Sequence, residues 1–432
     1  MLRKKIVSFD DIIALAIVIL LIMMTRTHQA VYFYSAMGCC LLRISKPIVL
    51  LPGYMMSSLS TSYFAVSEGT GAGRYMSMLL ILSFIISSVY HKENVIKYDY
   101  LGIISVLIFG CFVSALIGPV QDYNTPIQMA MNLIIFLFIQ GMKDVDLNRL
   151  TAHLVITFAL LAVSVFVEAM TNSVFLLEQR YTGVSNDNED GVNANRMAIM
   201  LEQCGAICIA CFMYYKNYIV KVLLIACVSA CVFVIIATGS RTGLIALLVA
   251  IAFSAIVIGG IKKTKIIIPL LSLLIIGHFM VDYLASTNSS VLDRFSFSSV
   301  EETGGSGRSR AISIIMTEFL PDHLFFGSGI GGANMLSFAS QYHFPNLCHN
   351  IVFDPLSQLG VIIFSIFLYF LVSVFKKIYR FMKSHPSQSI FVALLIAILF
   401  NGIGETIFYE KYFWNDIALC ILCCNMYDIK RI

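Results

Sequence analysis

Apolar stretches recur along the whole chain and are separated by short polar links that often contain Lys or Arg. A helix needs roughly 20 apolar residues to cross the ~30 Å hydrocarbon core of a bilayer. The pattern therefore predicts about 14 membrane-spanning helices, or about 12, because the second segment (31–42) is short for a span. Either number is even and places both termini on the same side.

Composition supports the same class. Hydrophobic residues make up 59% of the 432-residue chain and charged residues only 12%, and the mean hydropathy is +0.85, which excludes a soluble domain. The first apolar segment (12–24) follows Arg3, Lys4 and Lys5 but lacks a small-residue cleavage site, so it is predicted to be a retained helix rather than a signal peptide. We expect an all-α polytopic integral membrane protein.

Orientation follows from the cations, because Lys and Arg accumulate in short cytoplasmic links. The N- and C-termini are then predicted to be cytoplasmic. The predicted cytoplasmic links are 43–46, 91–97, 143–149, 216–221, 262–265 and 376–383. The predicted outward links are 67–73, 118–126, 171–193, 238–243, 285–350 and 402–416.

The longest polar interruption, 290–359, divides the chain. We predict transmembrane helices in 1–283, one large periplasmic loop in 284–350, and transmembrane helices again in 351–432. Within that loop, apolar residues at helical spacing predict an amphipathic helix over 308–322. Its predicted apolar face consists of Ile312, Ile315, Met316, Phe319 and Leu320.

Cysteine usage and net charge point to no further function. Of the twelve cysteines, only Cys348 lies in an outward loop; the others lie in apolar segments and act as small hydrophobes. Cys420, Cys423 and Cys424 share one helix with no nearby His, so a zinc or redox motif is not expected. The net charge of +4 reflects topology, and no nucleic-acid partner is predicted.

Three outward arginines stand beside glycine in polar contexts: Arg180, Arg241 and Arg308. A guanidinium binds phosphate oxygens through a bidentate fork, and glycine lets a large ligand approach the backbone. These residues are candidates for binding a diphosphate. Alternatively, each arginine snorkels to the lipid headgroups or caps a helix end.

His349 stands where the large loop turns into the next apolar helix. An imidazole can accept a proton from a sugar hydroxyl near neutral pH, so His349 is the candidate base. The alternative is a histidine that only bonds the backbone at a helix start. His323 and His343 lie in no motif, and Cys348 is a weaker candidate nucleophile. The flexible glycine-rich turn at 326–332 follows no strand of a βαβ unit, so a nucleotide site is not indicated.

Four ordered motifs resemble the bacterial O-antigen ligase and polymerase superfamily. They are Ala-Thr-Gly-Ser-Arg-Thr-Gly-Leu (237–244), Gly-Ser-Gly-Arg (305–308), Leu-Phe-Phe-Gly-Ser-Gly-Ile-Gly (324–331), and His-Asn (349–350) with Gln-Leu-Gly (358–360). The resemblance covers roughly 235–375, with a fainter echo in Gly-Val-Asn-Ala-Asn-Arg (191–196).

The resemblance implies a GT-C-like inverting glycosyltransferase that uses an undecaprenyl-diphosphate-linked sugar donor, with no metal and no other cofactor. Arg241 and Arg308 match the family's essential arginines, and His349 matches its essential histidine. The residues themselves agree with a metal-free site, because the outer loops offer no tight carboxylate pair with a His. Asp354 and Pro355 depart from the family pattern and leave the helix after His349 open.

Polymerases of this superfamily carry an Arg-x10-Gly pattern in two periplasmic loops. Here ten residues separate Arg180 from Gly191, and Arg294 from Gly305, so the pattern favours a polymerase of O-antigen or capsule repeat units. The expected partners are undecaprenyl-diphosphate-linked glycans, membrane lipids and a chain-length regulator in the same bacterial inner membrane. The alternatives are an O-antigen ligase that transfers the glycan to lipid A-core, a transporter of lipid-linked sugar, and a scaffold without catalysis.

Overall fold

The computed structural model describes residues 7–60, 62–67, 70–91, 100–118, 123–171, 193–260, 308–331 and 349–429. Helices dominate these ranges, which confirms the all-α class. In chain order the helices are α1 (Phe9–Thr27), α2 (Ala30–Leu42), α3 (Pro47–Ser57), α4 (Ala72–His91), α5 (Leu101–Ile117), α6 (Asn124–Gly141), α7 (Leu147–Thr171), α8 (Ala194–Tyr214), α9 (Tyr218–Ala237), α10 (Arg241–Phe253), α11 (Arg308–Ile314), α12 (Phe353–Ser384), α13 (Ile390–Asn401) and α14 (Lys411–Ile429).

Additional helical turns extend two of these helices. A π-helical turn, Ser254–Ile258, continues α10, and another, Ile315–Phe319, continues α11 into the short helix Leu320–Asp322. A small antiparallel hairpin pairs β1 (Ala65–Ser67) with β2 (Thr70–Gly71). No strand was predicted from the sequence in this region. The hairpin overlaps the predicted outward link 67–73.

Six helices of the described ranges have the length and apolar character needed to cross a membrane. They cover Ala72–Tyr90, Leu147–Thr171, Ala194–Tyr214, Tyr218–Ala237, Arg241–Ile258 and Phe353–Ser384. Shorter apolar helices include α2, α3, α5 and α13. The chain is therefore a multi-pass membrane protein. Residues 261–283, the last part of the predicted transmembrane region 1–283, lie outside the described residues, so the total of about 12 to 14 spans stays a prediction.

The most enclosed span is α8, which is 94% buried and packs against α7, α9, α10 and α13. Glycine permits part of this close packing: a Cβ on Gly205 of α8 would lie 2.8 Å from Leu247 of α10. Lipid tails are as apolar as side chains, so helices in a membrane associate through close packing and internal polar contacts. A central α8 surrounded in this way supplies a rigid scaffold for its two ends.

Charged side chains join helices at the end of the bundle that carries Ser8 and Arg149. Asp11 accepts a hydrogen bond from Arg149 Nε at 2.7 Å and lies 2.7 Å from His153 Nε2. Burial by itself raises the pKa of Asp11, but the hydrogen bonds from Arg149, Ser8 and His153 outweigh it and hold the pKa well below its usual range. Asp10 pairs with Lys46 at 2.7 Å. These contacts join α1 to α7 and to the α2–α3 link.

The first part of α12 is separated from the long membrane span by a break at Gly360, where φ is 69° and ψ is 170°. The break releases backbone carbonyls from the helix: Ser357 O accepts from Ser328 N at 2.9 Å, and Gln358 O accepts from Gly329 N at 3.2 Å. A Cβ on Gly360 would lie 2.4 Å from the backbone of Phe325. The long span therefore begins at residue 361, within the predicted transmembrane region 351–432.

The glycine-rich turn packs directly on this break. Residues 327–331 are buried, and Gly331 N donates to Gln358 Oε1 at 2.8 Å. Ser114 of α5 donates to the carbonyls of Phe326 and Gln358 at 2.9 and 2.7 Å. The turn was predicted to be flexible, but its described part is held by backbone hydrogen bonds. Its glycines permit close contact between backbones.

Candidate functional site

Arg241 is the first residue of α10 because a three-residue turn ends α9 directly before it. Gly239 adopts a left-handed φ of 64°, which glycine tolerates without a Cβ clash. Ser240 then caps α10 by accepting from Gly243 N at 3.4 Å. The half-exposed Arg241 consequently stands at a helix N-terminus, where free backbone N–H groups favour an anion.

The start of α10 packs against the start of α8. A Cβ on Gly243 would lie 2.8 Å from the Cβ of Ala198, so only glycine permits this contact. Ala198 lies three residues after Asn195, which is about one helical turn. The packing therefore places Arg241 at the same end of the bundle as Asn195 and Arg196.

His349 adopts a left-handed backbone with φ of 48°, a conformation that is uncommon outside glycine. The residues after it are anchored on the link between α13 and α14. Ile351 N donates to Gly402 O at 2.6 Å, and Asn350 Nδ2 donates to Ile403 O at 3.3 Å. The backbone of His349 is therefore held against the 402–410 link.

Asp354 strengthens this anchor. Its Oδ2 accepts from Asn350 N at 2.9 Å and from the hydroxyl of Thr406. In return, Asn350 Oδ1 accepts from the backbone N–H groups of Val352 and Phe353 at 2.9 and 3.2 Å. Helix α12 thus begins at Phe353, and the departure from the family pattern at Asp354 contributes a clamp that fixes the segment carrying His349.

Glu405 lies between His349 and α8. Its Oε2 is 3.5 Å from His349 Nδ1, and its Oε1 accepts from Asn195 Nδ2 at 2.6 Å. Within the described residues, His349 Nδ1 makes no hydrogen bond, so Glu405 is the carboxylate that faces this nitrogen. The side chain of His349 is 32% exposed and that of Glu405 is 15% exposed. A histidine beside a more buried carboxylate can accept a proton at its other ring nitrogen.

An ion pair also joins α8 to the same link: Arg196 lies 2.9 Å from Glu410 Oε1. The first turn of α8, the first turn of α10 and the 402–410 link therefore converge with His349 at one end of the bundle. We call the cluster of Asn195, Arg241, His349 and Glu405 the candidate site.

Arg308 begins α11, and the side chains of residues 308–310 lie outside the described structure. The predicted amphipathic helix over 308–322 is confirmed as helical. Its buried face agrees with the prediction in part: Ile315, Phe319 and Leu320 are buried as predicted, Ala311 is buried as well, and Met316 is 44% exposed. The π-helical turn at Ile315–Phe319 has more residues per turn than an α-helix, so the spacing of the buried side chains changes.

Several predicted residues lie outside the described structure: Arg180, Arg294, Gly191, Gly305, His343 and Cys348. His323 is described and stacks on Phe319 with ring centroids 4.6 Å apart; it lies at the end of the amphipathic helix.

Glu405, Asn195 and Glu410 were not predicted as site residues. A sequence signal existed for Asn195, because it lies inside the fainter motif at 191–196. For Glu405 and Glu410, the signal was that both carboxylates lie in a predicted outward link, 402–416. Neither observation says which histidine or arginine they contact.

Residues 225–368 match the family model described as O-Antigen ligase. The match covers a third of the chain, includes Arg241 and His349, and confirms the resemblance to the O-antigen ligase and polymerase superfamily. It supports an O-antigen ligase-type function in general. No curated protein matches the chain.

Proposed function

We propose that this protein polymerises undecaprenyl-diphosphate-linked oligosaccharide repeat units at the outer face of the bacterial inner membrane. The observation that carries the proposal is the contact between His349 and Glu405, which lies at the same end of the bundle as Arg241. A base, a carboxylate that orients it and a phosphate-binding cation form a set suited to glycosyl transfer from a lipid diphosphate.

His349 acts as the general base. Glu405 faces Nδ1 and favours the tautomer with a proton on that nitrogen, which leaves Nε2 free to accept a proton. The acceptor is a sugar hydroxyl of the incoming repeat unit. Apo distances such as 3.5 Å often shorten when substrate binds, so the His349–Glu405 contact is compatible with this role.

The arginines bind the leaving group. Arg241 and Arg308, helped by Arg180 or Arg294, hold the donor diphosphate and neutralise the charge that develops as it departs. The hydroxyl oxygen forms a bond to the anomeric carbon, the bond from that carbon to the diphosphate oxygen breaks, and the hydroxyl proton moves to His349. One displacement of this kind inverts the anomeric centre. No metal is required in this scheme, because the guanidinium groups supply the positive charge.

The Arg-x10-Gly patterns at Arg180–Gly191 and Arg294–Gly305 support the polymerase. A ligase that transfers the finished glycan to lipid A-core is the second candidate, because the matching family model is described as O-Antigen ligase. Transport is less favoured, since transporters place ionisable groups near the bilayer midplane, whereas the candidate site lies at a helical end. A chain-length regulator in the same membrane is the proposed protein partner.

Deletion of the gene distinguishes the two enzymes on one gel. Loss of a polymerase leaves lipopolysaccharide, or its capsular equivalent, capped with a single repeat unit, because ligation continues. Loss of a ligase leaves bare core while long glycan accumulates on undecaprenyl diphosphate. Core plus one repeat supports the polymerase, bare core with lipid-linked polymer supports the ligase, and an unchanged profile contradicts both. Complementation with the wild-type gene and with His349→Ala is the control for the enzyme itself.

A further inference from the structure

A second cluster of cations lies at the same end of the bundle, on the other side of the 402–410 link. Arg74 of α4 and Lys411 of α14 line one cavity together with Asn124 and Gln128 of α6. The cavity has a volume of about 240 Å³, which at roughly 30 Å³ for each molecule of liquid water holds about eight water-sized groups. A phosphate, or most of a diphosphate, fits this space.

No ion pair with a described carboxylate joins the two cations of the cavity. None of the described residues that line it is Asp or Glu, and Arg74 and Lys411 form no ion pair within the described part of the chain. The adjacent Glu410 is committed to Arg196 at 2.9 Å. Two cations therefore share a cavity whose described lining also contains the amides of Asn124 and Gln128.

The position of Lys411 is unfavourable without an anion. Its side chain is only 8% exposed, and a Cβ on Gly73, in the first turn of α4, would lie 3.5 Å from its Nζ. Helix N-termini repel cations, and burial penalises an ammonium that lacks a partner. A bound anion would offset both costs and the repulsion from Arg74.

The pKa of Lys411, at the outer end of α14 and outside the six apolar spans, agrees with this environment. Burial lowers the pKa of its ammonium to about 8; the Glu410 carboxylate opposes the shift, and the Arg74 guanidinium adds to it. The first turn of α6, which contains Asn124, also presents its N–H groups toward this end of the bundle. Charge, amide donors and helix ends all favour an anion here.

Apolar side chains complete the cavity. Met78, Ile127 and Met131 line it on α4 and α6, and Met78 and Ile127 are exposed on the outside of the bundle. A phosphate group that carries a hydrocarbon chain would place its charge between Arg74 and Lys411 and its chain along these residues. The cavity is therefore better suited to an anionic lipid than to a free phosphate ion.

The cavity and the candidate site share one structural element. Glu405 and Glu410 of the 402–410 link contact Asn195 and Arg196 on one side, and Lys411, the next residue, faces the cavity on the other. Asn132 of α6 donates to Tyr409 O at 2.9 Å and fixes the link from the cavity side. We propose that this cavity binds the diphosphate of the second lipid-linked glycan, the acceptor, whose sugar hydroxyl reaches His349.

The assignment of the bound lipid as the acceptor rests on the proposed function, but the binding test does not depend on turnover. The purified full-length protein is placed in phosphatidylcholine nanodiscs, and bound farnesyl diphosphate is counted by native mass spectrometry. Wild type is expected to bind two molecules. Arg74→Gln with Lys411→Gln is expected to bind one, with the affinity at the lost site reduced by about ten- to a hundredfold, as expected for loss of charge-assisted contacts.

Matched variants show which site each bound farnesyl diphosphate occupies. Arg241→Gln is expected to remove the other molecule, while Lys376→Gln with Arg380→Gln, which removes two exposed cations at the opposite end of α12, should leave two bound. Lys411→Met keeps a long side chain without the charge, so it should raise the melting temperature of the ligand-free protein and remove part of the stabilisation by farnesyl diphosphate. Equal counts in wild type and the Arg74/Lys411 variant would overturn the proposal.

Further probes identify the source of the anion. Displacement by inorganic pyrophosphate without binding of farnesyl diphosphate would indicate a site for a free anion, and equal occupancy by phosphatidylglycerol would indicate a general lipid site; either result overturns the acceptor assignment. In a turnover assay, the Arg74/Lys411 variant should raise the KM for the acceptor about tenfold with little change for the donor. An unchanged KM contradicts this inference and leaves the proposed function intact. If the variant loses the second bound molecule but the wild-type protein shows no turnover, the anion site is supported and the proposed function is contradicted.

Discussion

His349 combines a strained backbone with an anchored position. Its left-handed φ of 48° is maintained because the residues directly after it are bound to the 402–406 segment. Such conformations persist only where surrounding contacts determine them, and they occur often at functional sites. The imidazole is thereby presented to Glu405 and remains partly exposed to a substrate.

Removal of the base and removal of its carboxylate partner should have graded effects. His349→Ala is expected to lower turnover by about 10² to 10⁴, the usual range for loss of a general base. Glu405→Gln keeps the shape and the contact with Asn195 but removes the charge that orients His349, so we expect a decrease of about 10² or less. Both are measured as polymerisation of a lipid-linked repeat unit by purified protein.

The matched control is Glu318→Gln, which removes an exposed carboxylate from the π-helical turn after α11. It should retain wild-type turnover. Full activity of Glu405→Gln would show that the carboxylate has no part in the reaction, and full activity of His349→Ala would exclude His349 as the base.

The two arginines are predicted to act through their geometry as well as their charge. Arg241→Lys and Arg308→Lys keep the charge but lose the bidentate fork, so each should lower kcat/KM for the lipid diphosphate donor at least about tenfold. Arg380→Lys, at an exposed position on the far end of α12, is the control and should be neutral. Wild-type kinetics in both lysine variants would reduce Arg241 and Arg308 to surface cations.

EDTA should leave turnover unchanged, and a strict metal requirement would contradict a site that relies on arginine alone.

At the scale of elements, glycines decide how closely the helices and turns approach. Gly360 breaks α12 and lies against the backbone of Phe325, and Gly327 lies against Gln358. Together they join the glycine-rich turn to the helix that follows His349. The motifs at 324–331 and 358–360 are therefore partners in one backbone contact, although 26 residues separate Gly331 from Gln358.

Alanine substitutions at glycine positions separate the conformational cost of a positive φ from the steric cost of a close backbone contact. Gly360→Ala should be strongly destabilising, because a φ of 69° with a ψ of 170° is a conformation essentially restricted to glycine, and the added Cβ would also overlap a backbone at 2.4 Å. Gly260→Ala has a positive φ of 63°, which costs about 1–2 kcal/mol for a residue with a Cβ, and no described atom lies within 4 Å of the added Cβ, so only a conformational cost applies. Gly38→Ala, within α2 and without neighbours within 4 Å, should be stabilising by about 0.5–1 kcal/mol.

Melting temperatures of the three purified variants test this order. We expect Gly360→Ala to melt lowest, Gly260→Ala to lie between it and wild type, and Gly38→Ala to melt at or above wild type. If Gly360→Ala and Gly260→Ala melted at the same temperature, the contact between the turn and α12 would contribute nothing to stability.

At the scale of the whole molecule, the two ends of the bundle differ in chemistry. One end carries the candidate site and the Arg74–Lys411 cavity; the other carries the Asp10 and Asp11 clusters and the exposed cations of α12. The cation rule predicts that the second end is cytoplasmic, and the proposed function requires the site to lie on the opposite, outer side.

Labelling of whole cells with a membrane-impermeant maleimide tests this orientation. Ile403→Cys, at a residue that is 58% exposed beside the candidate site, should be modified from outside in a background without reactive native cysteines. Lys383→Cys, exposed at the other end, should react only after the cells are lysed. Labelling of residue 383 and not of residue 403 in intact cells would place the site in the cytoplasm and contradict the proposed function.

The sequence determined the class and the resemblance, and it supplied two residues of the candidate site. Hydropathy indicates apolar helices because the bilayer requires long apolar runs with satisfied backbones, and the amphipathic helix at 308–322 follows from its period. Arg241 and His349 were identified from short local motifs. The position of Met316 was misjudged, because a π-helical turn cannot be read from a period that assumes an α-helix throughout.

Only the tertiary structure decided which residues meet. Asn195 and Glu405 are separated by 210 positions, and Arg74 and Lys411 by 337, yet each pair shares one site or cavity. The separations are large because antiparallel spans return the chain repeatedly to the same membrane surface, where any two links can become neighbours. Local sequence fixes which end of a helix carries a charge; the packing of α4, α6, α8, α10 and α14 against one another determines which charge it faces.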